Sequence, residues 1–534
     1  MAGRRNLRHP EIGTISGIDA GQGVNQFLSI QYATIKDRFA PAVLKEYDGV
    51  GGLDAVKVGP QTAPLPQGAQ HEQDLIQHRL PATEVHFSEA EGLNLNITVP
   101  AIHDFEKVGK LPIFLFIHGG GFMVGSASYP QYDLARFVCL SIARDLPIIA
   151  ISMNYRLGPP GLLTSREMRE HGYPSNNALR DQRVAMEWVR KYISGFGGDI
   201  DNITLAGESA GAIACTYHLQ SREPLFKRMM AMSGSSLLTP PLPLDVAEQG
   251  YQTAIKALGL EGKSVEERME RLRRIDAGEL RAKCAAVPMM PVADEELPIT
   301  GHSFANFKTG KVEIAGTSWC EAMMIGDCGF DGSIQGLRLG HRKKGIGKAF
   351  CDAIHKSLSS QHAEKLLSRY GISADTDDDM AFERVLQTFN DIGFYAPTIA
   401  YAEGLGMKTY MYRFNETNSW PGPWQGRATH ILDIAFLFQN YNDHLDDSQL
   451  RTADAFAYSV FKFVHGKEPW EAWGGGAGKV AWVLGPGGTS RTVEDVPAKT
   501  GRRPTLLDLA KELGGGLDQL AEVVNGFLKA PPAT

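Results

Sequence analysis

Little in this chain points to export, to a membrane or to a nucleic acid. Its 534 residues include only 6 Cys, at positions 139, 215, 284, 320, 328 and 351. They form no paired C-x-x-C pattern and no disulfide framework, so they read as mostly reduced core thiols. No apolar run is long enough to span a bilayer, and no stable membrane anchor is expected. Met1 to Pro10 carries Arg4, Arg5 and Arg8 but no apolar h-region. A secretory signal is therefore not expected, and a cytoplasmic setting is. Three N-x-S/T triplets, at Asn96, Asn202 and Asn415, carry no weight as glycan sites in that setting. Formal net charge is −7, with no long block of either sign. That charge pattern excludes an electrostatic nucleic-acid surface. Internal repeats and low-complexity tracts are absent as well. Neither a cofactor nor a metal ion is expected, and nothing reveals the oligomeric state.

What the chain does have is alternation. Leu111–Ile117 and Pro147–Met153 are continuous apolar runs, as expected of strands buried on both faces. Tyr132–Ala143 and Asn177–Ser194 read as helices, the second with Ala185, Trp188, Val189 and Tyr192 on one face. Phe226–Met232, Val312–Gly316 and Lys408–Arg413 read as further strands, Val480–Thr492 as a hairpin, and Thr505–Leu528 as an interrupted amphipathic helix. Strand–helix alternation implies an α/β fold with a mostly parallel sheet flanked by helices. Residues 1–534 are expected to form one large domain. Candidate lid or cap insertions fall at about 60–90, 240–300 and 330–405.

One run names a chemistry. Ile203-Thr-Leu-Ala-Gly-Glu-Ser209-Ala-Gly-Ala212 carries a β-rich segment straight into G-x-S-x-G and then into small helix formers. A serine on so sharp a strand-to-helix turn needs glycine at 207 and 211, where neighbouring chains approach closely. The following helix aims its free N–H groups at the site. A serine nucleophile also needs an oxyanion hole, a base and an orienter for that base. His118-Gly-Gly-Gly-Phe122 follows a buried strand, and we assign Gly120, Gly121 and Ala210 as the N–H donors. His430, in Gly426-Arg-Ala-Thr-His-Ile-Leu-Asp433, is the favoured base, being late in the chain and ahead of an apolar segment. The acid lies between the two. Glu321, following the expected strand 312–316, is favoured by position, with Asp294, Asp327 and Asp391 competing.

These motifs resemble those of the type-B carboxylesterases, a group that includes fungal carboxylesterases and lipases and the cholinesterases. The resemblance covers nearly the whole length. Gln26–Ala33 with Arg38-Phe39, Ile117–Phe122, Asn154–Gly158, Asp181-Gln182 through Asp199, Gly207–Ala212, Gly316 with Glu321, and Gly426 with His430 all carry it. It implies the α/β-hydrolase fold and a Ser209–His430–Glu321 triad. It further implies supporting roles for Glu208 and for Ser233, the latter through a hydrogen bond to the acid, and a buried structural pair of Arg156 with Asp181. The chain departs from the family where Gly92 replaces a disulfide cysteine, where Ser29 and Gln31 replace Gly and Pro, and where Ala322 follows Glu321. Segment 57–88 has no Trp or Tyr, so a choline-specific site is not expected.

The implied function is hydrolysis of small or medium organic esters through an acyl-enzyme. An acyl transferase, lactonase or cyclase would use the same triad with a different acceptor. A lipase would need a lid, for which His71–Leu80 is a candidate. A non-catalytic binding protein on this fold is disfavoured, because the triad residues are kept and no tether is seen.

Overall fold

Alternate residues of the run Leu111–Ile117 face two different cores. Ile113, Leu115 and Ile117 enter one, and Phe114 and Phe116 enter the other. The same division recurs at Leu205 and Ala206, and at Met229 and Met230. Side chains of a strand alternate with period two, so a strand apolar at every position is stable only between two covering layers. The computed structural model describes residues 3–65, 67–101, 109–294, 297, 299–476, 478–500 and 505–529.

The strands are β1 (Arg4–His9), β2 (Gly13–Gly21), β3 (Val24–Gln31), β4 (Ala33–Thr34), β5 (Val43–Leu44), β6 (Gly52–Asp54), β7 (Asn94–Pro100), β8 (Leu111–Ile117), β9 (Ile149–Met153), β10 (Gly198–Glu208), β11 (Arg228–Met232), β12 (Ala322–Cys328), β13 (Thr409–Phe414), β14 (Val480–Leu484) and β15 (Ser490–Glu494). The main sheet runs β1-β2-β3-β7-β9-β8-β10-β11-β12-β13-β14-β15, with β6 beside β2, while β4 and β5 pair separately. From β9 to β14 every neighbouring pair is parallel. The outer pairs are antiparallel, except that β6 runs parallel to β2. On one face lie the helices Asn177–Tyr192 and Ala210–His218, and on the other Ala135–Ala143, Leu432–Leu437 and Asp447–Val464. This is the expected α/β architecture.

Several boundaries shift, and one strand is absent. Residues 312–316 are not a strand. The chain there leaves the helix Phe304–Thr309 and passes into a short 3-10 turn at Ala315–Ser318. The strand of this region is β12, which starts only at Ala322 and is buried throughout. The hairpin Val480–Glu494 forms as expected, and the terminal helix divides into Thr505–Glu512 and Gly516–Lys529. Among the described residues none of the six Cys is in a disulfide, and no helix is long and apolar enough to cross a membrane.

Arg156 and Asp181 make a buried, two-pronged ion pair, with Nη2 2.6 Å from Oδ1 and Nε 2.8 Å from Oδ2. The Arg156 guanidinium also donates to the carbonyls of Ala40 and Arg38. The pair therefore ties the N-terminal segment and the turn after β9 to helix Asn177–Tyr192. Removing one partner strands a desolvated charge. Asp181→Ala is expected to lower unfolding stability by about 3–5 kcal/mol, read as a drop in the urea midpoint.

Candidate active site

The parallel strands end on one side of the sheet, and the chemistry collects there. Ser209 follows β10, the glycine loop 118–121 follows β8, Ser233 follows β11, Asp331 lies three residues past β12, and His430 is on the long loop after β13. Clefts at the carboxyl ends of parallel strands are where this class of sheet binds ligands.

Ser209 occupies a strained turn, with φ 53° and ψ −118°. Its N–H donates to the Met232 carbonyl at 2.9 Å, and its own carbonyl receives Ile213 N–H at 2.9 Å. The flanking glycines are needed for space. A Cβ on Gly207 would lie 2.3 Å from the carbonyl of Gly211, and one on Gly211 would lie 2.0 Å from the Ile117 oxygen. No side chain fits at either position, as the elbow reading requires.

His430 is buried and faces Ser209, with Nε2 2.9 Å from Oγ. Its Nδ1 lies 2.7 Å from Asp331 Oδ1. The second oxygen of Asp331 accepts from Ser233 Oγ at 3.0 Å and from the Cys328 N–H at 2.7 Å. The histidine loop is held in turn. His430 N–H donates to Ser333 Oγ, Phe330 N–H donates to the Ala428 carbonyl, and Thr429 Oγ1 donates to the Leu75 carbonyl.

Glu321 is not at the histidine. It is half-exposed and pairs with Arg228 at 3.1 Å and Lys227 at 3.4 Å. Arg228 is buried and donates to the carbonyls of Phe463 and Val464. Glu321 thus completes a surface-side ion cluster at the amino end of β12, at the opposite end of the strand from the site. The competitors are engaged elsewhere too. Asp294 accepts from Ser175 and Arg180, Asp327 pairs with the buried Arg413, and Asp391 accepts from Tyr370 and Gln387. Asp331 is the residue that sequence reasoning missed. Its signal was available as Gly329-Phe-Asp-Gly332 just past the apolar stretch Met323–Ile325. A strand expected at 312–316 points instead to Glu321, ten residues upstream. Ser233 Oγ bonds Asp331, the carboxyl at His430, and not Glu321.

The glycine loop presents donors. The N–H groups of Gly120 and Gly121, and that of Ala210 at the helix start, take no acceptor among the described residues. Gly120 sits at φ +93°, where an added Cβ would meet the Val124 carbonyl at 2.2 Å. This geometry leaves the loop N–H groups unshielded beside Ser209, the arrangement an oxyanion requires.

Carboxyls crowd the histidine. Glu208 Oε1 is 3.3 Å from His430 Nε2 and has no other partner among the described residues. Burial, with Asp433, Glu72 and Asp331 nearby, raises Glu208 far above the ordinary carboxylate range. Burial, with Asp331 nearby, lifts Asp433 to about 6. Burial also raises Asp331, opposed by its bond to His430. Glu72, on the helix Gly68–Ile76, is pushed to about 7 by burial, although Gln131 donates to it at 2.8 Å.

Glu72 has a measurable consequence. The folded protein holds its proton from about pH 4.5 to 7, where the unfolded chain has lost it. Stability from this group is present below that window and declines as pH rises through it, by about 3 kcal/mol in all. Glu72→Gln is expected to flatten the pH dependence of urea unfolding between pH 5 and 8 by up to that amount. Parallel declines in variant and wild type would show that Glu72 does not titrate there.

Comparison with known proteins adds lineage to this geometry. A family model described as the carboxylesterase family matches residues 6–473. Lipase 3 of Yarrowia lipolytica is 25% identical over 459 residues, 84% of this chain and 86% of its own length. The para-nitrobenzyl esterase of Bacillus subtilis is 29% identical over 344 residues, 62% of this chain and 64% of its own. Among solved structures, a carboxylesterase of Geobacillus stearothermophilus superimposes with a TM-score of 0.71 at 24% identity, covering 93% of this chain and 99% of that one. A thermophilic PNB esterase gives the same TM-score over 94% of this chain at 22% identity. The structural likeness establishes the α/β-hydrolase fold.

Proposed function

Because the chain belongs to the carboxylesterase family and is a serine carboxylic ester hydrolase, we propose that it cleaves small or medium organic esters through Ser209, His430 and Asp331. The observation that carries this reading is the unbroken chain from Ser209 Oγ to His430 Nε2 at 2.9 Å and from Nδ1 to Asp331 at 2.7 Å.

His430 takes the Ser209 proton as Oγ adds to the ester carbonyl. The N–H groups of Gly120, Gly121 and Ala210 hold the tetrahedral oxyanion. Asp331 keeps the proton of the resting imidazole on Nδ1 and stabilises the imidazolium once it forms. Ser233 and the Cys328 N–H keep Asp331 in place by occupying its other oxygen. The imidazolium then returns its proton to the leaving alcohol. Water, activated by the same histidine, releases the acid and restores Ser209.

An ester panel varying acyl length and alcohol bulk tests this reading, run in water and with added alcohols. Acid release in every productive case supports hydrolysis. Transfer to the added alcohol in preference to water would reassign the acceptor. Activity appearing only above the solubility limit of a triglyceride would reassign the substrate to a lipid interface.

A further inference from the structure

We infer that Arg281 is a positioning residue for the oxyanion loop, a role that rests on the proposed hydrolytic reading of the site. The loop is defined by where its carbonyls go. The His118 oxygen accepts from Tyr155 Oη at 2.9 Å, and the Gly119 oxygen from His118 Nδ1 at 3.0 Å. The Gly120 oxygen accepts from Met123 N–H and Val124 N–H, each at 3.0 Å, and the Phe122 oxygen from Gly158 N–H at 2.8 Å. The Met123 oxygen accepts from Arg281 Nη1 at 2.6 Å. With these carbonyls tied back, the N–H groups of Gly120 and Gly121 are left pointing the other way, without acceptors among the described residues.

Five of these hydrogen bonds come from the loop itself or from the turn after β9. Arg281 arrives from elsewhere, on the short helix Ala277–Lys283 of the 240–300 segment. A partly desolvated guanidinium ordinarily takes a carboxylate partner. Among the described residues Arg281 has none. Glu89, which lines the same small cavity beside it, is paired with Arg38 at 3.0 Å. The Arg281 charge is therefore uncancelled and directed at a backbone carbonyl, where a charge-assisted bond is short and strong. It fixes Met123, two residues past the donor Gly121, so that the loop N–H groups need no reorganisation when the oxyanion forms.

The experiment compares Arg281→Met, Arg281→Gln and Arg281→Lys with wild type on a soluble p-nitrophenyl ester. Thermal midpoints establish folding, and binding of a trifluoromethyl ketone, which adds to Ser209 as a hemiketal, reports on the oxyanion site. Arg281→Met is expected to lower kcat by about 10–100-fold, less than loss of a direct donor, with KM within about threefold. The ketone should weaken by the same factor, and Lys should recover part of the loss through its charged N–H. Wild-type kcat in a folded Met or Gln variant would overturn the role, and Gln decides if Met does not fold. A change confined to KM, or a Lys variant no better than Met, would overturn it too. Ser209→Ala separates this from the underlying reading. If Ser209→Ala is inactive and the Arg281 variants are not, the site stands and the positioning role falls.

Discussion

Ser209→Ala is expected to lower kcat by about 10⁶, roughly 8 kcal/mol of barrier at 25 °C, while leaving the fold in place. The size of the effect follows from the site. Removing Oγ removes the bond-forming atom of the proposed mechanism, and among the described residues no other hydroxyl lies within hydrogen-bond distance of His430 Nε2. The fold survives because alanine occupies the same backbone turn and the elbow's backbone hydrogen bonds are unchanged. The measurements are steady-state hydrolysis of a p-nitrophenyl ester, the pre-steady-state burst, and labelling by a fluorophosphonate. All three should vanish together in a protein with a wild-type thermal midpoint. Hydrolysis near the wild-type rate would place the nucleophile elsewhere.

Asp331→Asn is expected to lower kcat by about 10⁴ with little change in KM, whereas Glu321→Gln leaves kcat within about twofold. The two residues make the sharpest contrast in the molecule. Asp331 is fully buried, 2.7 Å from Nδ1, with its other oxygen held by Ser233 and the Cys328 N–H. An asparagine there keeps the volume but loses the charge that stabilises the imidazolium, and its amide N–H favours the wrong imidazole tautomer. Glu321 is 53% exposed and bridges Arg228 and Lys227. A pair whose carboxylate is so open to solvent contributes at most about 1 kcal/mol to stability, and this one makes no contact with the histidine. If Glu321→Gln were the inactive variant and Asp331→Asn the active one, the proposed triad would be wrong. The two substitutions on one substrate therefore decide the identity of the acid directly.

The serine elbow and the glycine loop were legible because both are local. Gly207, Gly211 and Gly120 are demanded by close approaches within a few residues or across one strand pair, and such constraints leave a short, dense signature. His430 was legible from chain order and from the apolar segment behind it. The acid was not. Its position depends on which of two weakly marked segments becomes the strand beside β11. Val312–Gly316 has the β-branched residues of a strand, and Met323–Ile325 has flexible methionines and isoleucine. The sheet takes the second, since Met323 and Met324 can each fill one of its two cores.

By itself, then, the sequence determined the α/β alternation, the serine elbow, the glycine loop and the histidine, because strand burial and turn sterics act over short distances. The tertiary structure alone decided that Asp331 meets His430, that Ser233 serves Asp331, and that Glu321 belongs to an ion cluster at the far end of the same strand. It also decided that Arg281 reaches across the fold to the carbonyl of Met123. These are contacts between residues about 100 to 160 positions apart, and only the register of β12 against its neighbours and the packing of the helical segments bring them within hydrogen-bond reach.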